Sequence, residues 1–103
     1  MVSTALLTDR YELTMVQATL KDGTAHRRSV FEVFARRLSG GRRFGVVAGT
    51  GRVLEAIEDF RFGDEEIAFL LGSGVVDEPT ARWLAAYRFG GDVWGYPEGE
   101  LWF

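Results

Sequence analysis

An acid and a phenol stand ahead of the first apolar stretch of the sequence, in TDRY at residues 8–11. Asp9, followed three residues later by Glu12, predicts a capping box that would satisfy the free amides at the start of a helix. That cap does not need Tyr11. From spacing alone, Tyr11 is either a half-buried first-turn aromatic or an exposed ring that can stack on a flat ligand.

Arginine dominates the positive charge of the first half of the chain. Residues 1–52 hold 9 Lys and Arg against 4 Asp and Glu, whereas residues 53–103 hold 3 against 11. The planar guanidinium suits phosphate and carboxylate, and Arg36 with Arg37 ends a predicted strand. The acidic total of −3 argues against general nucleic-acid binding, which depends on many phosphate contacts. A small anionic ligand is the better expectation.

Other candidate groups are incomplete. AGTG, residues 48–51, resembles a phosphate cradle at a helix start, but such glycines more often only permit a tight turn. His26 is either an acid–base group or part of a solvated loop beside two arginines. With one histidine and no cysteine, neither a catalytic triad nor a thiolate metal site can be assembled. We therefore predict no catalytic residue and no metal ligand in this segment.

Two elements would position the candidate residues. The apolar spacing predicts a helix over residues 10–21, closed by Gly23. RSVFEVFARRL, residues 28–38, alternates like a strand, with Phe31 and Val33 on a core face. Its other face, which includes Glu32 and Arg36, is either a solvated sheet face or the floor of a polar site.

The remaining pattern predicts three more helices and a hairpin. One helix follows AGTG, the second begins at Asp64 and the third follows Asp77, with Pro79 early in it. DVWGYPEGELWF, residues 92–103, predicts two short strands about the turn PEG. At 103 residues and 47% apolar composition, we expect a single α+β domain.

The two ends of the sequence lead to expectations about location and length. MVSTALL has no basic region and no long apolar core, and no apolar run is long enough for a membrane span, so we expect a soluble cytoplasmic protein without membrane contact. LeuTrpPhe ends the chain within a predicted strand. Either the 103 residues are the front of a longer protein, or a terminal strand is tucked into its own sheet.

The sequence resembles the N-terminal part of nicotinate phosphoribosyltransferases. The resemblance rests on LLTDRYELTMVQA, VFEVFARRL, GVVAGTGRVLEAIEDFRF and PEGELWF in that order, and the TD-x-Y-x-LTM and F-E-x-F-x-R pieces are the most specific. It implies an N-terminal α+β domain, residues 1–103, with helices on a small, mainly antiparallel sheet. In the family this domain is normally joined to an irregular α/β barrel, which is absent here.

The resemblance also implies roles for four residues. Family members join nicotinate to 5-phosphoribosyl-1-pyrophosphate at a site between the subunits of a homodimer. Tyr11 is implied to stack on the pyridine ring in the partner's barrel, with Asp9 beside it. Arg36, and less directly Arg37, is implied to contact a phosphate across the interface.

Other properties that the resemblance implies belong to the whole enzyme and not to this segment. The resemblance implies ATP, Mg²⁺ and a phosphorylated histidine for the whole enzyme, none of them bound by this segment, and His26 does not occupy that histidine's position. Nicotinamide as the substrate, or a stand-alone binding module without enzymatic activity, remain the alternatives.

Overall fold

The computed structural model describes residues 3–103, and this part of the chain forms four α-helices and one two-stranded antiparallel sheet. This confirms the α+β class. In chain order the elements are α1 (Arg10–Asp22), β1 (Gly45–Val46), α2 (Thr50–Asp59), α3 (Asp64–Gly72), α4 (Glu78–Ala86) and β2 (Leu101–Trp102).

The core is built by α1, α3 and α4 with the turns between them. α1 contributes Leu13, α3 contributes Leu70 and α4 contributes Leu84, the last two only 1% and 2% exposed. Removing such side chains from water drives the packing, at roughly 1.5 to 3 kcal/mol for each large apolar group. The complete buried apolar set is Ala5, Leu13, Phe62, Leu70, Val76, Ala81 and Leu84.

The predicted helix boundaries are confirmed. α1 ends where Gly23 adopts a left-handed conformation, with φ 80°. α4 begins after Asp77, whose carboxylate accepts a hydrogen bond of 3.0 Å from the Thr80 N–H. Thr80 is itself buried, so this cap fixes the first turn of α4 against the core.

α2 is a helix as predicted, but its apolar face is not buried. Val53 and Leu54 are 55% and 45% exposed, and α2 contains no buried residue. Val53, Ile57 and Phe60 line one side of a shallow apolar groove of about 290 Å³, with Phe89 among its other lining residues. The periodicity identified the helix correctly, whereas burial also needs an opposing surface, which residues 3–103 do not provide.

The predicted C-terminal hairpin is wrong in its pairing. Only Leu101–Trp102 forms a strand there, and it pairs antiparallel with Gly45–Val46, far back in the sequence. PEG does form a turn, but the N–H of Gly99 donates to the carbonyl of Val47 at 2.8 Å. The indole of Trp102 lies so close to Gly45 that a Cβ at this position would overlap it. This close approach requires glycine at position 45.

The strand predicted over residues 28–38 is also wrong. These residues form neither helix nor strand, and Phe31 and Val33 of the expected core face are 92% and 106% exposed. A strand requires a neighbour for its backbone hydrogen bonds, and no segment of residues 3–103 lies alongside as one. Alternation in the sequence specifies which side chains share a face, not whether a partner is present.

No helix among residues 3–103 has the length and apolar character needed to cross a membrane.

Candidate ligand-binding site

Tyr11 lies in the first turn of α1 with its side chain largely in solvent. The residue is 59% exposed, although α1 buries Leu13 in the core only two residues later. The Tyr11 carbonyl accepts a hydrogen bond of 3.0 Å from the Thr14 hydroxyl, which ties the backbone of this turn. Tyr11 is thus a partly exposed first-turn aromatic, and its ring is accessible to solvent.

The predicted capping box between Asp9 and Glu12 does not form. Asp9 occupies the N-cap position with an extended backbone, but its side chain makes no capping hydrogen bond. The carboxylate of Glu12 instead accepts a hydrogen bond from the Thr8 hydroxyl. A hydroxyl one turn earlier competes with the backbone amide for the same carboxylate, and here it prevails. The Asp9 carboxylate makes no capping bond, and it lies two residues before Tyr11 in the sequence.

Arg36 and Arg37 lie in the segment between α1 and β1, and both are exposed. Within residues 3–103, neither has an aspartate or glutamate within 4.0 Å, the limit for an ion pair. Their guanidinium groups therefore keep their donors free for an external anion. No hydrogen bond or ion pair in this part of the chain links the two arginines to Asp9 or Tyr11.

The carboxylate of Glu98 binds two backbone amides of the sequence AGTG. Its carboxylate accepts hydrogen bonds from the N–H groups of Gly49, at 3.0 Å, and Thr50, at 2.9 Å, which are the free donors at the start of α2. These two amides lower the pKa of Glu98 below its ordinary value. Gly49 has φ 88°, a left-handed conformation that favours glycine. The tight-turn interpretation of AGTG therefore fits, and the chain supplies its own anion.

Sequence reasoning missed Glu98 because the residue lies 48 positions after Thr50. The glutamate in PEG indicates a turn and nothing more. An acidic residue near a distant free helix N-terminus is a pairing that only tertiary structure reveals.

A second polar cluster joins α1 to the start of α4. The side-chain oxygen of Gln17 accepts a hydrogen bond of 2.7 Å from the Asp77 N–H, and the Lys21 ammonium lies 3.1 Å from the Asp77 carboxylate. The Thr80 side chain and backbone, followed by Lys21, lower the pKa of Asp77 to about 2. This cluster is structural, since each polar group in it bonds to another residue of the chain.

His26 and the described acidic residues do not form a metal-holding cluster within residues 3–103. His26 lies exposed in the loop after α1, where its ring centroid is 6.2 Å from that of Trp83. Residues 3–103 contain no group of three or more His, Cys, Asp or Glu side chains arranged to hold a metal ion.

Comparisons with known proteins agree with the resemblance seen in the sequence. The family model described as the nicotinate phosphoribosyltransferase (NAPRTase) N-terminal domain matches residues 6–103. Nicotinate phosphoribosyltransferase pncB1 of Mycobacterium tuberculosis is 59% identical over 98 residues, which cover 95% of this chain and 21% of that protein. Nicotinate phosphoribosyltransferase pncB2 of the same species is 45% identical over 102 residues, covering 96% and 21%.

More distant similarity extends across bacteria. Nicotinate phosphoribosyltransferase of Bacillus subtilis is 32% identical over 101 residues, covering 98% of this chain and 21% of that protein. The chain thus spans about a fifth of the length of these curated relatives. No solved structure matches it.

Proposed function

The chain belongs to the nicotinate phosphoribosyltransferase N-terminal domain family, and from this premise we propose that it serves as the N-terminal domain of an enzyme of NAD synthesis. That enzyme joins nicotinate to 5-phosphoribosyl-1-pyrophosphate and releases pyrophosphate. The relatives named above carry the word nicotinate in their names, which supports the acid over the amide as substrate.

The observation that carries the proposal is the exposed ring of Tyr11, two residues after Asp9, whose side chain makes no capping bond. A pyridine ring is flat and apolar on its faces, so an exposed phenol on a rigid helix turn is a suitable surface for stacking. Two carboxylates repel each other, so we place the acid group of nicotinate on the side of the ring away from Asp9. The helix fixes the phenol, and the phenol orients the base for attack.

Arg36 and Arg37 would supply the positive charge that the other substrate requires. Phosphoribosyl pyrophosphate carries several phosphate charges, and transfer at its anomeric carbon develops further charge on the leaving pyrophosphate. A guanidinium that has no internal carboxylate partner can contact a phosphate through two parallel N–H groups. We assign Arg36 this contact and Arg37 a supporting one.

The two pairs of residues would act at a site shared between subunits. Because the described chain does not bring Tyr11 and Arg36 together by hydrogen bond or ion pair, we propose that each meets its ligand on another part of a homodimeric enzyme. ATP coupling is a property we expect of that enzyme and not of this domain. We further propose that it works in the cytoplasm.

Substitution of Tyr11 tests the proposal in the enzyme that contains this domain. Tyr11→Ala should weaken nicotinate binding by roughly 1 to 3 kcal/mol, the range for a base stacked on an aromatic side chain. Tyr11→Phe keeps the ring and should be nearly silent. Because the residue is 59% exposed, the melting temperature should change little in either variant. The measurement is the dissociation constant for nicotinate, alongside a thermal melt.

Met15→Ala is the matched control for the effect of Tyr11→Ala on nicotinate affinity. Mixing of subunits tests whether the Tyr11 ring serves the site of its own subunit or that of the partner. Met15 lies one turn after Tyr11 on α1 and is 57% exposed, so Met15→Ala removes a similar apolar surface and should leave nicotinate affinity unchanged. Mixing Tyr11→Ala subunits with subunits disabled elsewhere should restore part of the activity if the ring serves the partner's site. Equal losses from Tyr11→Ala and Met15→Ala would contradict the stacking role.

A further inference from the structure

Most arginines of the chain lie in one segment, residues 23–52. This segment contains seven arginines and a single acid, Glu32, although the whole chain has a net charge of −3. All seven are exposed, and none forms an ion pair within residues 3–103. The side-chain hydrogen bonds that arginines donate in this part of the chain come instead from Arg61 and Arg88. The positive charge of the segment is therefore neither neutralised locally nor used to hold the fold together.

A tight turn at residues 39–42 separates two pairs of these arginines. Its two central residues are glycines with positive φ, 65° and 74°, and the Arg42 N–H donates a hydrogen bond of 3.3 Å to the Ser39 carbonyl. Two consecutive positive φ angles with this bond are typical of a chain reversal, in which the first and fourth Cα atoms lie within about 7 Å. The reversal brings the arginines at 36–37 close to those at 42–43.

We call Arg36, Arg37, Arg42 and Arg43 the arginine cluster. Its C-terminal end is anchored, because Arg43 lies two residues before β1, which is paired with β2. Guanidinium groups remain charged at every physiological pH, and their field extends over roughly one Debye length, about 10 Å at 0.1 M salt. Four such groups around one turn, without a carboxylate partner in the described chain, form a local centre that attracts anions.

The charge of the remaining chain indicates which kind of anion this cluster would take. Outside residues 23–52 the chain has five Lys and Arg against fourteen Asp and Glu. An extended polyanion such as nucleic acid would run over this acidic surface and be repelled by it. A compact molecule with several phosphate charges meets only the arginine cluster. Phosphoribosyl pyrophosphate is such a molecule.

We propose that Arg42 and Arg43 are positioning residues for phosphoribosyl pyrophosphate, whose negative charges they attract and direct toward Arg36. This inference rests on the proposed function and adds two residues to it. Arg36 would contact a phosphate through its planar fork, which lysine does not reproduce. Arg42 and Arg43 act through charge over a longer distance, which lysine supplies equally well. The two roles therefore differ in what lysine can replace.

Removal of the two charges tests the inference in the enzyme that contains this domain. The double variant Arg42→Gln with Arg43→Gln should lower kcat/KM for phosphoribosyl pyrophosphate by about tenfold at low salt, the lower end of the range for electrostatic steering. The kcat and the KM for nicotinate should not change, because the charges act before the chemical step. Compared with the parent at about 1 M salt, where the Debye length is about 3 Å, the loss should shrink to within about twofold.

Two further double variants are the controls for this measurement. Arg42→Lys with Arg43→Lys keeps both charges and should retain kcat/KM within about twofold of the parent. Arg82→Gln with Arg88→Gln also removes two exposed arginine charges, but from outside the segment of residues 23–52, and should leave kcat/KM unchanged. Thermal melts of all three double variants check that the fold is retained, which the exposure of these side chains leads us to expect.

The results that would overturn this inference differ from those that bear on the proposed function. A glutamine double variant with the kcat/KM of the parent at low salt, in an enzyme that still forms nicotinate mononucleotide, removes the role of Arg42 and Arg43 and leaves the proposed function intact. An equal loss at low and high salt, or an equal loss in the lysine variant, contradicts action through charge. An equal loss in the Arg82 and Arg88 variant shows that only the net charge of the enzyme matters. A parent enzyme that forms no nicotinate mononucleotide contradicts the proposed function, and this inference with it.

Discussion

At the scale of single residues, some polar side chains bond to other residues of the described chain, whereas others have no such partner. Glu12 bonds to Thr8 and Glu98 to the start of α2, so neither carboxylate is free for a ligand. Asp9 and Arg36 have no such partner within residues 3–103. The second group coincides with residues that the sequence resemblance assigns to substrates.

Arg36→Lys, in the enzyme that contains this domain, distinguishes a phosphate contact from a solvated surface charge. Lysine keeps the positive charge but loses the planar fork that bonds two oxygens at once. We expect a higher apparent KM for phosphoribosyl pyrophosphate with little change in Tm, because Arg36 has no internal partner to lose. The check is steady-state kinetics with each substrate varied in turn. A kinetically silent substitution would leave Arg36 a solvated charge.

The residues near Tyr11 show how far sequence reasoning reaches at this scale. An aromatic ring that is not needed for the cap indicated the candidate site, and the structure leaves that ring exposed. The capping box failed because D-x-x-E states only that a glutamate lies within reach of an amide. The adjacent Thr8 hydroxyl lies within reach as well, and the outcome depends on competition between two bonds of similar strength.

At the scale of elements, helices were predictable where their ends are encoded locally, and strands were not. Gly23 ends α1, while Asp77 and Pro79 start α4, all within a turn of the boundary that each defines. β1 and β2 consist of two residues each, at residues 45–46 and 101–102, and are far apart in the sequence. Gly45 pairs with Trp102 and Val46 with Leu101, and no local pattern in the sequence contains these pairings.

The joint between α1 and α4 should make stability depend on acid pH. The folded pKa of Asp77 is about 2, below its ordinary value of 3.8, so its charged form contributes stability that is present above 3.8 and lost as the pH falls toward 2. Asp77→Asn keeps a capping oxygen but removes the charge that faces Lys21. The variant should therefore melt below the parent chain at neutral pH, and the two melting curves should converge near pH 2.

Lys21→Met provides the companion measurement for this joint. If the effect of Asp77→Asn comes from the ion pair, it should shrink when Lys21 has already been replaced, in a double-mutant cycle of thermal melts. A gap between parent and Asp77→Asn that stays constant from neutral pH to pH 2 would show that the charge is irrelevant.

Glu98, in the turn before β2, should slow the hydrogen exchange of the two backbone amides that it binds at the start of α2. Glu98→Ala leaves the amides of Gly49 and Thr50 without their acceptor, so their hydrogen exchange should accelerate by about tenfold or more. Glu98→Gln keeps one acceptor oxygen and should give a smaller increase. Because the amides lower the pKa of Glu98 below its ordinary value of 4.5, the protection should persist at pH 4.5 and be lost at still lower pH.

Glu100→Ala is the control for that measurement by nuclear magnetic resonance. Glu100 lies in the same region, and its backbone carbonyl, which bonds the Val47 N–H at 2.9 Å, is retained in the variant. Exchange at Gly49 and Thr50 should therefore remain slow. Similar acceleration in both alanine variants would mean that the turn loosens as a whole and that the Glu98 carboxylate is not the cause.

At the scale of the whole molecule, the described chain has a small core and a large apolar surface. α2 buries none of its residues, and residues 30–34 are almost fully exposed. Periodicity in the sequence predicted these faces correctly as apolar, but it could not specify what covers them. Burial depends on an opposing surface as well as on the pattern of the helix or strand itself, and residues 3–103 provide none for these faces.

The 103-residue chain alone should not catalyse phosphoribosyl transfer. The reaction needs groups that stabilise a leaving pyrophosphate at the anomeric carbon, and the described residues offer exposed arginines but no metal-holding cluster. The chain also spans only 21% of relatives such as pncB1. Incubation with nicotinate, phosphoribosyl pyrophosphate and Mg²⁺–ATP should therefore give no nicotinate mononucleotide by mass spectrometry, whereas a full-length relative should produce it. Product formation that Tyr11→Ala abolishes would show that a complete site assembles from this domain alone.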